Sequence, residues 1–186
     1  MAILLAFAPF IVFAVVDRLA GGTIGLFAGA AVSAALVLRD WLGAGRAPKV
    51  LEFGTVIVLG GLALYAGLTD PNWSIIGVRL RVDLGLLLIV LFSIVLGRPF
   101  TLQYAREQVS PALWDNPIFI RVNYIITAVW AAAFAITVIA DLVLLYAPDL
   151  TPAVGVGATA LAIAGAFKFT SWYPKHVRAN SDILPQ

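Results

Sequence analysis

Long runs of apolar residues constrain this chain more than any other feature of its sequence. Leu51–Leu68 and Val122–Ala147 each contain a single charged residue, and each is close to the length of about 20 residues that a helix needs to cross a bilayer. Only 12% of the residues are charged and 62% are hydrophobic, whereas soluble domains have about 25% charged residues. Lipid is therefore the expected solvent for most of the chain.

Six apolar runs predict an all-α, polytopic transmembrane bundle that forms one domain over residues 1–186. The predicted spans are Ile3–Val16, Thr23–Leu38, Leu51–Leu68, Asp83–Leu96, Val122–Ala147 and Pro152–Phe169. The first run is short and contains Pro9, so the alternative is a segment in the membrane interface, which leaves five spans. No positively charged region precedes this run, which argues against a signal peptide. Transmembrane strands would alternate polar and apolar residues, and these runs do not.

The distribution of Lys and Arg between the predicted loops gives an orientation. With six spans, one face holds Arg39, Arg46, Lys49, Arg98, Arg106, Arg121, Lys168, Lys175 and Arg178, and the other holds Arg18, Arg79 and Arg81. Cytoplasmic loops carry the excess of basic residues, so the first face and the C-terminus are expected in the cytoplasm. A five-span arrangement would move only the N-terminus. Residues 171–186 are expected to form a polar C-terminal tail.

Residues 98–121 are predicted to form a cytoplasmic loop after the fourth span. Helical spacing places Leu102, Ala105 and Val109 on one side, which would suit a short surface helix. A solvated loop without such a helix is the alternative, because the apolar side is small.

The fifth predicted span has a stripe of polar and aromatic side chains. Steps of three and four residues place its members on one helical face: Asn123, Thr127, Trp130, Phe134, Thr137 and Asp141. A carboxylate in hydrocarbon is costly, so Asp141 should face protein, water or a cation, and Arg79 and Arg81 are its candidate ion-pair partners. Two interpretations stay open: a substrate or ion track that uses Asp141, or hydrogen bonding between packed helices.

Two sets of small residues indicate close helix packing. Gly25, Gly29 and Ser33 share one helical face, and Ala153 and Gly157 share another. Such faces serve contacts within a chain or between two copies, so a homo-oligomer remains open.

The residue types needed for familiar catalytic and metal sites are scarce. The chain has no cysteine, and His176 is its only histidine. A Ser-His-Asp triad, a zinc site and a phosphate-binding loop are therefore not expected. No basic aromatic groove suggests nucleic-acid binding. We expect no catalysis, no cofactor and no metal.

Several segments together resemble the bacterial intracellular septation protein A family. They are LLAFAPFIVFAV, FGTVIVLGGLALYAGLTDPNW, and the series Arg98, Pro99, Phe100, Gln103, Glu107, Pro111, Trp114, Asn123, Trp130 and Phe134. The connection between Trp114 and Asn123 is longer than the family pattern, and residues 66–76 are largely uncharged. These two departures leave membership of a diverged subgroup open.

This resemblance implies a multi-pass protein of the bacterial inner membrane that supports envelope integrity, elongation and septation without established catalytic residues. Its partners would be membrane lipids and other envelope or division proteins. The loop would then present a cytoplasmic docking surface, for which the candidate residues are Arg98, Gln103, Arg106 and Glu107.

Overall fold

The computed structural model describes residues 5–44, 49–147 and 151–179. It is 87% helical and has no strand within those ranges, which confirms the all-α prediction. Arg46, residues 3–4 of the first predicted span and residues 180–186 of the predicted tail lie outside the described residues.

Seven α-helices and one 3₁₀ turn make up the described chain. The helices are α1 (Ala8–Ala20), α2 (Gly22–Ala44), α3 (Val50–Thr69), α4 (Ile75–Val95), α5 (Phe100–Arg106), α6 (Pro117–Tyr146) and α7 (Pro152–Ala179), and the 3₁₀ turn is Pro111–Leu113. They divide into two compact units, Met1–Phe100 and Thr101–Gln186, and each unit is described by itself.

Four of the described helices are long and apolar enough to cross a membrane, namely α2, α3, α6 and α7. A fifth span results if α4 and α5 are counted together as one broken span. Helix α1 has 13 residues, which at 1.5 Å per residue gives about 20 Å, short of a hydrocarbon core of about 30 Å. The predicted count of six spans is therefore not confirmed, and the structure supports four or five.

In the first unit, α1 and α2 form a tight antiparallel hairpin. Gly21 joins them with a φ of 92°, a value that glycine adopts readily. A Cβ at Gly25 would lie 2.9 Å from the backbone nitrogen of Asp17, and one at Gly29 would lie 3.0 Å from the carbonyl oxygen of Pro9. The small-residue face predicted on this helix thus packs within the chain, directly against the α1 backbone.

The remaining helices of this unit continue the same close packing. A Cβ at Gly54 of α3 would meet the side chain of Ile89 at 2.8 Å, and one at Gly85 of α4 would collide with Val58. The buried core between these helices contains Phe13, Leu26, Leu59, Ala63, Ala66, Val78 and Val82.

The turn between α4 and α5 is held by a buried serine. Ser93 Oγ donates to the carbonyl of Val90 at 2.7 Å and accepts the Phe100 backbone N–H at 3.2 Å. Gly97 has a φ of 69°, and Phe100 contacts Phe7 edge to face with ring centroids 6.5 Å apart.

In the second unit, α6 and α7 pack together as a long helical pair. Asn116 caps α6 by accepting the backbone N–H groups of Ile118 and Phe119 at 2.8 and 3.3 Å. Gly155 of α7 lies against Leu144, whereas a Cβ at Gly157 would meet nothing within 4 Å. The packing position within the chain is therefore Gly155 and not Gly157, and a contact of the Ala153 and Gly157 face with a second copy stays a prediction.

Helix α7 continues further than the sequence pattern indicates. It ends at Ala179, so residues 171–179 of the predicted polar tail are helical.

Candidate functional site

The stripe predicted on the fifth apolar run is the buried face of α6. Its six members are at most 5% exposed: Asn123, Thr127, Trp130, Phe134, Thr137 and Asp141. Their spacing places them on one side of a 30-residue helix. Polar groups buried in this way need hydrogen-bond partners, so the partners show how the stripe is used.

At the N-terminal part of the stripe, the partner comes from the short helix α5. Thr101 Oγ1 lies 2.7 Å from Thr127 Oγ1 and 2.9 Å from the carbonyl oxygen of Asn123. The Asn123 side-chain amide donates to the carbonyl of Phe119 at 2.9 Å. Thr101 is 4% exposed, so the sequence analysis missed a buried member of this network.

In the middle of the stripe, Trp130 connects α6 to α7. Its Nε1–H donates to Thr170 Oγ1 at 2.9 Å, and that hydroxyl donates to the carbonyl of Ala166 at 2.8 Å. The indole ring also contacts Phe167 edge to face, with centroids 4.8 Å apart. The largest side chain of the stripe thus joins two helices by a hydrogen bond and by aromatic packing.

The C-terminal part of the stripe holds Thr137 and Asp141. Thr137 Oγ1 donates to the carbonyl of Phe134 at 2.8 Å, a bond within α6. Asp141 is 0% exposed, which places a carboxyl group fully inside the protein.

An apolar cleft of about 200 Å³ lies nearby between α6 and α7. Its lining consists of Ile136, Ile139, Ala140, Val143, Leu144, Val154, Gly155 and Ala158. None of these belongs to the stripe. The cleft therefore offers an apolar surface and no polar path along the stripe residues.

The two arginines proposed as partners of Asp141 belong to the first unit. Arg81 donates from Nη1 to the carbonyl of Gly77 at 2.7 Å, and its guanidinium lies 4.4 Å from the Trp73 ring centre. Trp73 stacks in turn on Tyr65 with centroids 5.4 Å apart. Pairing of Asp141 with Arg79 or Arg81 stays a prediction.

The segment 98–121 contains the predicted short helix, α5. Four residues of α5 are 5% exposed or less, including Leu102 and Tyr104. On the predicted apolar side, Leu102 is buried, whereas Ala105 and Val109 are half-buried. A position of this helix at the membrane surface stays a prediction.

Of the four candidate docking residues, Arg106 forms a reciprocal pair of hydrogen bonds with Trp114. Arg106 Nη2 donates to the Trp114 carbonyl at 3.3 Å, and Trp114 Nε1–H donates to the Arg106 carbonyl at 3.1 Å. Arg98 and Glu107 are exposed, and Gln103 is half-buried. The loop is therefore held in shape by Arg106 and Trp114, while Arg98 and Glu107 stay accessible.

A buried ionic cluster joins the end of α2 to the start of α3. Lys49 Nζ lies 2.7 Å from Asp40 Oδ2 and 3.3 Å from Glu52 Oε1. Arg39, whose side chain is 52% exposed, binds Asp40 Oδ1 at 2.6 Å from the outer side. Ser33 Oγ donates to the backbone carbonyl of Glu52 at 3.2 Å.

Asp40, Lys49 and Glu52 are each at most 6% exposed, so these charges do not extend to water as residues near a span end commonly do. Sequence reasoning missed the cluster because its members come from two helices. The available signal is the presence of acids at 40 and 52 on either side of Lys49, next to two apolar runs.

In the described part of the chain, no three His, Asp or Glu side chains lie together as a metal site would require. The expectation of no metal and no cofactor stays a prediction. No protein-family model, curated protein or solved structure matches this chain. The resemblance to the septation protein A family therefore also stays a prediction.

Proposed function

We propose that this chain is a noncatalytic membrane protein that supports the cell envelope by contacting lipids and other membrane proteins. In the terms of the septation protein A resemblance, it would act in the bacterial inner membrane, with its C-terminus in the cytoplasm. The observation that supports this role is the hydrogen bonding of the α6 stripe. Thr127 bonds to Thr101 of α5 and Trp130 bonds to Thr170 of α7, as side chains that hold helices together do. Asn123 and Thr137 satisfy their polar groups at carbonyls of their own helix.

The accessible part of the 98–121 loop is the proposed contact surface. Arg98 and Glu107 are exposed on a segment that Arg106 and Trp114 hold in a defined shape. A shaped surface loses less conformational entropy on binding than a flexible one, so it suits recognition of another protein.

One observation favours a second candidate, a small transporter or channel. Asp141 is fully buried inside a candidate membrane span, and an intramembrane acid is by default a candidate for proton or cation handling. In this alternative, Asp141 would bind or release a proton during transport. Transport would depend on Asp141, and Asp141→Asn would abolish transport.

Complementation distinguishes the two proposals. The full chain, the double variant Arg98→Gln/Glu107→Gln and the single variant Asp141→Asn would each be expressed in cells that lack their own copy. Cell shape and detergent sensitivity would be measured at equal amounts of protein in the membrane. We expect the double variant to lose complementation and Asp141→Asn to retain it.

The matched control is Asp115→Asn, which changes an exposed acid of the same loop outside the docking set. It should complement fully. The reverse pattern, in which Asp141→Asn fails and the double variant complements, would contradict the contact role and favour transport.

A further inference from the structure

The end of α7 combines exposed cations with aromatic rings. Lys168, Lys175 and Arg178 are exposed, as are Trp172 and His176. Residues 152–179 contain no Asp or Glu, so no acid within this helix offsets the positive charge. This is the most strongly basic part of any described helix, and the predicted docking loop does not include it.

Helix length places this region at a membrane surface. Helix α7 has 28 residues, or about 42 Å at 1.5 Å per residue, which exceeds a hydrocarbon core of about 30 Å. The excess corresponds to about eight residues. The aromatic and basic residues occur at the C-terminal end of α7. Trp and Tyr favour the level of the lipid headgroups, so Trp172 and Tyr173 mark the boundary.

The aromatic rings at this end are ordered by stacking on one another. Trp172 stacks on His176 with centroids 4.8 Å apart, and Phe169 stacks on Tyr173 at 4.9 Å. Steps of four and three residues place Lys168, Trp172 and Lys175 on one helical face. The two lysines are about 10 Å apart along the axis, with the indole between them. Long lysine stems can extend along apolar surface and leave their ammonium groups at the phosphates.

We propose that this end of α7 is a binding site for anionic phospholipid headgroups. The residues Lys168, Lys175 and Arg178 would bind the phosphates, and Trp172 would anchor the helix at the headgroup level. Charge complementarity selects the ligand, because three cations without a helical acid favour an anionic lipid over a zwitterionic one. This site would give the proposed membrane-contact protein a specific lipid partner. Only the role of lipid binding in the cell rests on that proposed function.

Lipid binding to the purified full chain tests this site. The protein in neutral detergent would be titrated with phosphatidylglycerol or phosphatidylcholine, and bound lipids would be counted by native mass spectrometry. We expect tighter binding of phosphatidylglycerol, a preference that falls as salt concentration rises. Each cation removed should weaken that binding about fivefold. The triple variant Lys168→Gln/Lys175→Gln/Arg178→Gln should therefore lose the preference.

Two further variants separate charge from folding. Lys168→Arg/Lys175→Arg keeps both charges and should keep the preference, and Arg121→Gln removes an exposed cation from α6 and should also keep it. Equal binding of the two lipids by the unmodified protein, or an unchanged preference in the triple variant, would overturn the site. This measurement uses purified protein, so a negative result leaves the proposed function standing, whereas full complementation by the Arg98→Gln/Glu107→Gln variant in cells would overturn that function alone.

Discussion

The two units of this protein bury polar groups in different ways. In residues 1–100, helices meet through glycines that bring backbones together, and the buried polar groups include a cluster of charges formed by Asp40, Lys49 and Glu52. In residues 101–186, buried hydroxyl and indole groups bond between helices, from Thr101 to Thr127 and from Trp130 to Thr170.

This difference indicates where each unit is vulnerable. A buried charge depends on its counter-charge, because a carboxylate or ammonium left alone in an apolar interior is very costly. A buried hydroxyl costs much less when its partner is removed, since it can often bond to a carbonyl of its own helix. Single changes in the ionic cluster of the first unit should therefore lower stability sharply, whereas single changes at the hydroxyl pairs of the second unit should lower it by less.

Removal of the shared cation is expected to have the largest effect. Lys49→Met would remove the ammonium group from Glu52 and leave Asp40 with the half-exposed Arg39 as its cation. We expect the free energy of unfolding to fall by about 3–5 kcal/mol, as for other broken buried ion pairs. Unfolding in mixed detergent micelles would measure the change.

The control for this variant removes all three charges at once. Asp40→Asn/Lys49→Met/Glu52→Gln should be more stable than Lys49→Met alone, because no buried charge remains in the cluster and Arg39, which loses Asp40, is 52% exposed. If the triple variant were as unstable as Lys49→Met, the contribution of the cluster to stability would come from side-chain packing and not from charge.

A change at the glycine contact between α1 and α2 ranks second. In Gly25→Ala, the new Cβ would lie 2.9 Å from the Asp17 backbone nitrogen, which cannot move without shifting α1. Overpacking of this kind costs about 1–3 kcal/mol, measurable in the same unfolding assay.

Gly60→Ala is the matched control within the same unit, because a Cβ there would meet nothing within 4 Å. It should be neutral or slightly stabilising, since alanine is the better helix former. Equal destabilisation by both variants would show that the close approach at Gly25 does not limit stability.

The smallest effect is expected in the second unit, at the bond between Thr101 and Thr127. A double-mutant cycle with Thr101→Val and Thr127→Val should give a coupling energy of about 0.6 kcal/mol, typical of hydrogen bonds between membrane helices. Unfolding in micelles again gives the four free energies.

Thr137→Val serves as the control in a second cycle with Thr127→Val. Its hydroxyl bonds within α6, and ten residues separate it from Thr127, about 15 Å along the helix. The coupling should be near zero. A value above 2 kcal/mol for the Thr101 pair would make the second unit as sensitive as the first, and the contrast between the units would be wrong.

Several features of the structure were predictable because they depend on the order of residues along one segment. Apolar runs of about 20 residues determined that the chain is helical and suited to lipid. The 3.6-residue period placed Asn123, Thr127, Trp130 and Asp141 on one face, and that face is buried. The same period identified Gly25 and Gly29, which pack against α1.

Tertiary structure decided which groups from different segments of the chain come into contact. Thr101 reaches α6 from another helix, Lys49 meets acids from two helices, and Gly155 packs on Leu144 in place of Gly157. Helical periodicity defines the face a residue shares with its neighbours in sequence, but the partner of that face depends on how distant segments approach. The sequence by itself thus determined the solvent, the helices and the buried face, whereas packing between helices decided the partners, because contact requires proximity in space and not in sequence.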